Sequence, residues 1–330
     1  MVGIPEHMRA VDCTPPAQAT DLRIVTLPTP TPRDGELLVK VEATALNRAD
    51  LLQRRGGYPP PAGASPIMGL EVVGTVVHPA GTWSVGDRVM AVVTGGGYAE
   101  YACVPANEAM AVPVGMRSTD AAAIPEAFLT AWLNLITLGN LRAGESIFIH
   151  AGASGVGTAA IQLAKHWGAQ VITAAGTDAK RALCAQLGAA VVRDSRSGPH
   201  AEAVRQATGG VGVHVVLDML GAPAWADNCA MLTNGGRLLL LGFLLGSEGE
   251  LDLGPVLTRS LTIKGTTLRR TPAPQKAALV AEASPWLLPR FAQGHLVPVV
   301  DRVFALEDVA QAHLHMESNA NAGKIILQIG

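Results

Sequence analysis

A chain of 330 residues is longer than one hydrophobic core ordinarily serves, so two domains are expected. Apolar residues make up 48% and charged residues 16%, which excludes a disordered chain. A formal net charge of −2 offers no basic surface for nucleic acid or an anionic membrane. Residues 8–114 read as all-β. Leu22–Val25, Glu36–Glu42, Glu71–Val77, Val85–Val93 and Tyr98–Val104 are short, strand-like runs separated by Gly and Pro. Pro28, Pro30 and Pro32 exclude the stretch before Asp34-Gly35 from a central strand, because each removes a ladder donor. Such punctuation suits a barrel-like β domain.

At Ser118 the pattern changes. Ser118–Ile124 predicts a helix with a hydroxyl cap, and Pro125–Ile136 a second helix with proline in its first turn. Strand and helix patterns then alternate. Strands are expected at Ser146–His150, Gln170–Ala175, Ala189–Val192, Val213–Asp218, Gly236–Gly242 and Leu261–Gly265. Helices are expected after Gly157 and at Asp178–Leu187, Pro199–Thr208 and Trp225–Leu232. Alternation of this kind implies an α/β, doubly wound parallel sheet that binds ligands at the carboxyl ends of its strands. After about residue 266 come a helical segment, Gln275–Ala292, broken at Pro285 and Pro289, and two strands, Val297–Val303 and Lys324–Ile329, around a helix at Leu306–Ser318. This tail is too short for its own large core and is expected to return to the β domain.

The sequence at the first strand-to-helix turn carries the chemistry. His150-Ala-Gly152-Ala153-Ser154-Gly155-Val156-Gly157 joins a β-branched strand to a run of helix formers. Glycines there let backbone N–H groups approach a pyrophosphate, and the helix N-terminus faces that anion with its partial positive charge. The four cysteines, Cys13, Cys103, Cys184 and Cys229, are dispersed without a C-x-x-C pair, so neither a disulfide framework nor a zinc cluster is indicated. The N-terminus lacks the form of a secretory signal and no apolar run reads as a membrane span, so a cytoplasmic location is expected.

The order of these parts resembles the medium-chain dehydrogenase/reductase superfamily. Ala45-Leu-Asn47-Arg-Ala-Asp50-Leu, Gly69-Leu70-Glu71-Val-Val-Gly74, Ala122-Ala-Ile-Pro125-Glu126-Ala and the glycine turn resemble its zinc-independent quinone oxidoreductases. Asn47–Tyr58 followed by three prolines is most similar to the tumour-suppressor-induced subgroup. The resemblance implies a GroES-like β domain at 1–124, a Rossmann doubly wound parallel-sheet domain at 125–265, and a C-terminal return to the catalytic domain at 266–330. It implies hydride transfer from NADPH to quinones or similar electron-poor acceptors in the cleft between domains, by a homodimer. Enone reduction and a non-catalytic NADPH-binding role are the alternatives. Zinc alcohol dehydrogenases of the superfamily carry Gly-His-Glu where this chain has Gly69-Leu70-Glu71, and a cysteine near Asn47. Leucine cannot ligate a metal, so neither catalytic nor structural zinc is expected.

NAD enzymes place an acid at the end of the second Rossmann strand for the ribose 2′-OH. Here that strand ends Ala174-Ala175-Gly176-Thr177, without an acid, and Lys180 and Arg181 follow. A cation suits a 2′-phosphate, so NADPH is expected. The family's 2′-phosphate tyrosine is replaced by Ser195, with Arg193 or Arg196 as substitutes. By resemblance, Asn47, Thr130, Gly152–Gly157, Gly176, Thr177, Lys180, Leu220, Gly242, Phe243 and Lys324 contact the cofactor. Asn47 and Tyr58 are the candidate catalytic residues: each can hydrogen-bond an acceptor oxygen, and Tyr58 serves equally as an aromatic lid. Glu71 reads as a structural carboxylate, Arg48 and Asp50 as a local pair, and His150 as a structural hydrogen-bonding group. Arg237–Leu241 with Phe243–Leu251 is expected to form a sheet edge that pairs across a two-fold axis.

Overall fold

The computed structural model describes residues 3–329. The chain divides into two compact units: the residues up to Leu129 together with those from Arg269 onward, and Thr130–Leu268.

The first unit is built on the ten-residue strand Glu36–Ala45, whose Leu37, Leu38, Val39, Val41, Ala43 and Ala45 are buried. Tyr101–Pro105 pairs along its first half and Lys324–Gln328 takes over at Ala43–Ala45, while Glu71–His78 pairs on its other side, all antiparallel. Gly74 lets these chains close up, since a Cβ there would lie 2.0 Å from the Lys40 carbonyl oxygen. The C-terminal tail therefore contributes strands to the N-terminal sheet. Val300–Ala305 runs parallel to Lys324–Gln328, and a parallel pair needs a crossover, here the helix Val309–Glu317.

Several elements differ from the sequence expectation. The helix Ala273–Ala292 runs unbroken through Pro285 and Pro289. Its Leu279, Val280, Ala283, Leu287 and Phe291 form one buried stripe, and that packing outweighs the two missing donors. Ser118 does not cap its helix. Arg117 holds the cap position, and the Ser118 hydroxyl instead donates to Glu42 and accepts from Arg88. The second helix is α-helical only over Pro125–Trp132 and widens to a π-type turn at Leu133–Leu138. Buried Asn134 sits there, donating to the Thr130 carbonyl and accepting from Thr266. Contrary to the expectation that no apolar run reads as a membrane span, Ser118–Leu138 is long and apolar enough to cross a membrane, but most of it is buried within the protein as a core element.

The second unit is a six-stranded, wholly parallel sheet. Its spatial order is Val191–Asp194, Gln170–Ala175, Ser146–Ile149, Val213–Asp218, Leu232–Leu240 and Thr262–Gly265. The chain starts in the middle, winds one way through three strands, then returns to wind the other way. The switch point lies between Ser146–Ile149 and Val213–Asp218, where such folds bind ligands. The expected edge strand is interior: Leu232–Leu240 is paired on both sides, and Thr262–Gly265 forms the edge.

The return strand holds the first unit's sheet together. Ile326, opposite Ala45 and fully buried, should cost about 2–5 kcal/mol when truncated to alanine, read as a lower denaturant midpoint at unchanged slope.

Candidate active site

In the second unit, the strand Ser146–Ile149 leads through a tight turn into the helix Gly155–His166. Ala151 takes a left-handed backbone (φ 48°), a costly conformation for a residue with a side chain. A Cβ on Gly152 would lie 2.1 Å from the Thr173 hydroxyl oxygen, so the turn fits only without a side chain there. Ser154 caps the helix, its hydroxyl accepting from the Gly157 N–H at 3.0 Å. That bond spends the Gly157 donor expected for the pyrophosphate and leaves Gly155 and Val156 to present first-turn N–H groups, which a helix cannot pair internally. A turn that has no room for a side chain at Gly152 or Gly157 and ends on a helix N-terminus fits a dinucleotide.

The next strand ends at Ala175, and Thr177 caps the following helix through its hydroxyl. No acid stands in this turn, but sheet register sets Asp194 opposite Ala175. The sequence reading missed it because the acid comes from the neighbouring strand. Two guanidiniums offset its charge. Arg196 forms a fork on it (Nε–Oδ1 3.0 Å, Nη2–Oδ2 2.8 Å), and Arg181 reaches it at 3.1 Å while also bonding Asp178. These hydrogen bonds hold the Asp194 carboxyl well below the usual range. Gly176 faces Ser195, and Lys180 is partly buried nearby. Thr130 is buried and bonded to Asn134 through its carbonyl; Leu220 donates its N–H to Asp218; Gly242 packs on Met219; Phe243 is exposed. His150 is structural as expected: its Nε2 lies 2.6 Å from Asn228, which donates in turn to buried Asp218.

The first unit gathers a second polar cluster. The Lys324 ammonium lies 2.8 Å from Glu71 Oε1, 2.6 Å from Asn47 Oδ1 and 2.9 Å from the Leu46 carbonyl oxygen. Asn47 Nδ2 donates to Glu71 at 2.9 Å, and the other Glu71 oxygen accepts the Glu126 N–H. Lysine has three hydrogens, and all three have protein acceptors here. Lys324 thus braces Asn47. Asn47 likewise has its amide committed on both sides, which leaves little of it for an acceptor.

Arg48 and Asp50 do not pair. Arg48 bonds Asn319, because the helix Arg48–Arg54 turns it away, while Asp50 faces inward and accepts the N–H groups of Asn47 (2.7 Å) and Gly69 (3.3 Å). Burial pushes the Asp50 carboxyl up to about 6. Tyr98 also hydrogen-bonds Asp50, and a chain continues from Tyr98 to His313 to Arg54 to Glu317. Since Arg54 can only donate, His313 Nδ1 accepts and Nε2 carries the hydrogen toward Tyr98. Burial, then the Arg54 charge, pushes His313 down to about 3, so the ring is neutral.

Tyr58 sits partly buried with the guanidiniums of Arg269 and Arg270 over its ring, 5.2 and 5.8 Å from the centroid. Glu126 lies in the Pro125-Glu126 motif, whose sequence alone assigns it no role. Its Oε2 is buried without a hydrogen-bond partner, and burial followed by repulsion from Glu71 pushes the carboxyl up to about 8. Nothing in the sequence distinguished Arg269 from a surface arginine.

Residues 33–114 match the alcohol dehydrogenase GroES-like domain family, and residues 155–283 the zinc-binding dehydrogenase family. A quinone oxidoreductase of Sus scrofa is 32% identical over 310 residues, 90% of each chain. The chain belongs to the quinone oxidoreductases of the medium-chain dehydrogenase/reductase superfamily. A mycobacterial member solved in complex with NADPH has a TM-score of 0.88 at 32% identity, covering 98% of this chain and 100% of that one. The CurK enoyl reductase follows at a TM-score of 0.87 and 25% identity, covering 99% and 100%. The chain also matches a Mycobacterium tuberculosis polyketide synthase subunit at 33% identity, of whose length it spans 14%. As a medium-chain dehydrogenase/reductase the protein is an NAD(P)-dependent oxidoreductase with a nicotinamide cofactor. Among the described residues of this oxidoreductase, no three His, Cys, Asp or Glu side chains gather as metal ligands.

The raised carboxyls set the pH response. Glu126 keeps a proton that the unfolded chain releases near 4.5, so between about 4.5 and about 8 the folded state binds more protons. Stability should fall as pH rises through that window and level off above it. Glu126→Gln should flatten that part of the profile, measured by chemical denaturation from pH 5 to 9.

Proposed function

We propose that the protein reduces quinones, or closely similar conjugated carbonyl acceptors, with NADPH and without zinc. The carrying observation is Leu70. It is buried between Gly69 and Glu71, where the zinc enzymes of the superfamily place a histidine ligand. Without a Lewis acid, the acceptor must be electrophilic by itself, as a quinone is. A bound nicotinamide supplies the hydride. The chain's residues bind, orient and shield. The Gly152–Gly157 turn holds the pyrophosphate, with Ala153 and Ser154 shaping it, and Thr130, Leu220, Gly242 and Phe243 line the remainder. Lys324 and Glu71 fix Asn47, and Tyr58 covers or hydrogen-bonds the acceptor.

The preference for NADPH is supported by the acid-free tip at Ala175–Thr177, by Lys180, and by two arginines that offset Asp194. Enone reduction is the second reading, favoured by the similarity to an enoyl reductase and to a polyketide synthase. The dispersed free thiols fit a cytoplasmic location. A homodimer is also proposed, through the edge strand Thr262–Gly265 and the exposed Phe243, Leu244, Leu245, Leu253 and Leu257 beside it in sequence.

Initial rates with NADPH and NADH against a panel of quinones and enones test this reading. Turnover of quinones, faster with NADPH and unchanged by chelator, is expected; NADPH binding without turnover of any acceptor would leave a non-catalytic role. Tyr58→Phe should keep turnover if the ring is a lid and lower kcat if its hydroxyl donates. Sedimentation at micromolar concentration should give the mass of two chains, and Leu257→Glu should shift it toward one.

A further inference from the structure

Arg269 begins the segment by which the chain rejoins the first unit. Its side chain is only 4% exposed, although arginine is almost never buried without a partner. The Nε donates to the Thr94 carbonyl at 2.8 Å and Nη1 to the Tyr58 carbonyl at 3.3 Å. The guanidinium lies over the Tyr58 ring. Nη2 is buried and has no hydrogen-bond partner. Among the described residues no carboxylate lies within ion-pair distance of this guanidinium; Asp50 and Glu126 act on it only from farther away.

That arrangement is expensive. A guanidinium cannot shed its charge by losing a proton, and two neutral carbonyls replace only part of its hydration. A buried cation aimed by two backbone anchors, with one donor left over, is complementary to an electron-rich oxygen that the protein itself does not provide. One anchor is the carbonyl of Tyr58, so the guanidinium and the aromatic ring keep a fixed relation. Glu126 Oε2 and Gln53 Oε1 are further buried polar atoms of this unit without a hydrogen-bond partner; the amide is uncharged, and the Glu126 carboxyl is neutral at pH 7 and so adds no competing anion.

The geometry points to Arg269 as the group that binds the acceptor's carbonyl oxygen and stabilises the oxyanion formed there on reduction. This rests on the reading of the protein as a quinone or enone reductase. In that reaction the acceptor gains a hydride, two electrons with one proton; the bound nicotinamide is oxidised by the same two electrons, and water supplies the second proton. The negative charge arrives on the oxygen that Nη2 faces. The acceptor class follows: a planar conjugated carbonyl, its ring against Tyr58 and its oxygen on Arg269. Phenolates, which resemble the singly ionised reduced product, should bind as inhibitors.

The test uses 4-nitrophenolate at pH 7.5, where the phenol is largely ionised and the Glu126 carboxyl still mostly protonated, with saturating NADP+, a pair that cannot react, followed by calorimetry. Wild-type protein should bind it, Arg269→Gln should bind at least tenfold more weakly, and Arg269→Lys, which keeps the charge but not the fork, should fall between. NADP+ affinity should agree within twofold among the three. In turnover, Arg269→Gln should lose roughly 100-fold in kcat/KM, carried mainly by kcat. Equal phenolate affinity and equal kcat/KM in wild type and Arg269→Gln would overturn the inference; so would a parallel loss of NADP+ affinity and thermal midpoint, which marks a structural arginine. Should Arg269→Gln fail to fold, an Arg269→Lys protein indistinguishable from wild type overturns it instead. A wild type that binds 4-nitrophenolate through Arg269 but reduces no quinone or enone would leave this anion site standing and remove the proposed reaction.

Discussion

The first unit depends on a buried ion pair between the two ends of the chain. Lys324 comes from the last strand and Glu71 from one of the first, and both are almost wholly out of water. Such a pair gains little net stability, because desolvation offsets most of the attraction. Removing either partner, however, strands a buried charge, so each end of the chain requires the other. The strand Glu36–Ala45 makes the meeting possible: it takes Lys324–Gln328 beside Ala43–Ala45, just before the chain turns at Asn47. The ammonium then has the Leu46 carbonyl and the Asn47 side chain within reach.

A second polar chain approaches the same turn from another direction. Glu317 holds Arg54, Arg54 donates to His313, and His313 meets Tyr98, which bonds Asp50. Asp50 in turn accepts the backbone N–H groups of Asn47 and Gly69. Each member is oriented by what its neighbour can donate or accept, and burial keeps water from competing. The segment carrying Asn47 and Tyr58 is thus fixed by the C-terminal tail at two places, through Lys324 and through His313. Arg269 makes a third, at the Tyr58 carbonyl.

The polar groups divide into those that are satisfied and those that are not. Asn47, Glu71, Lys324 and Asp50 have protein partners for most of their hydrogen-bonding capacity. Arg269 Nη2 and Glu126 Oε2 have none. In a folded protein a satisfied network specifies structure, while an unsatisfied buried donor or acceptor is more often reserved for something else. Asn47, the residue type most easily noticed in the motif, belongs to the first group.

The sequence by itself determined the fold class and the glycine turn. Alternating apolar runs and helix patterns, Gly152 and Gly157 at a strand end, and leucine at position 70 are local facts, set by backbone sterics and side-chain chemistry. It also carried the family, because the motifs are contiguous. Only the tertiary structure decided the rest. Pro285 and Pro289 sit inside a continuous helix because a buried stripe holds it, which local propensity cannot foresee. Leu232–Leu240 is an interior strand because Thr262–Gly265 folds over its edge. Asp194 reaches the tip of the second strand through register, not through the turn. Arg269, Glu126 and Lys324 acquired their roles from burial and from partners up to hundreds of residues away in the chain. Hydrogen-bond commitment is a property of three-dimensional neighbours, and no spacing along the chain records it.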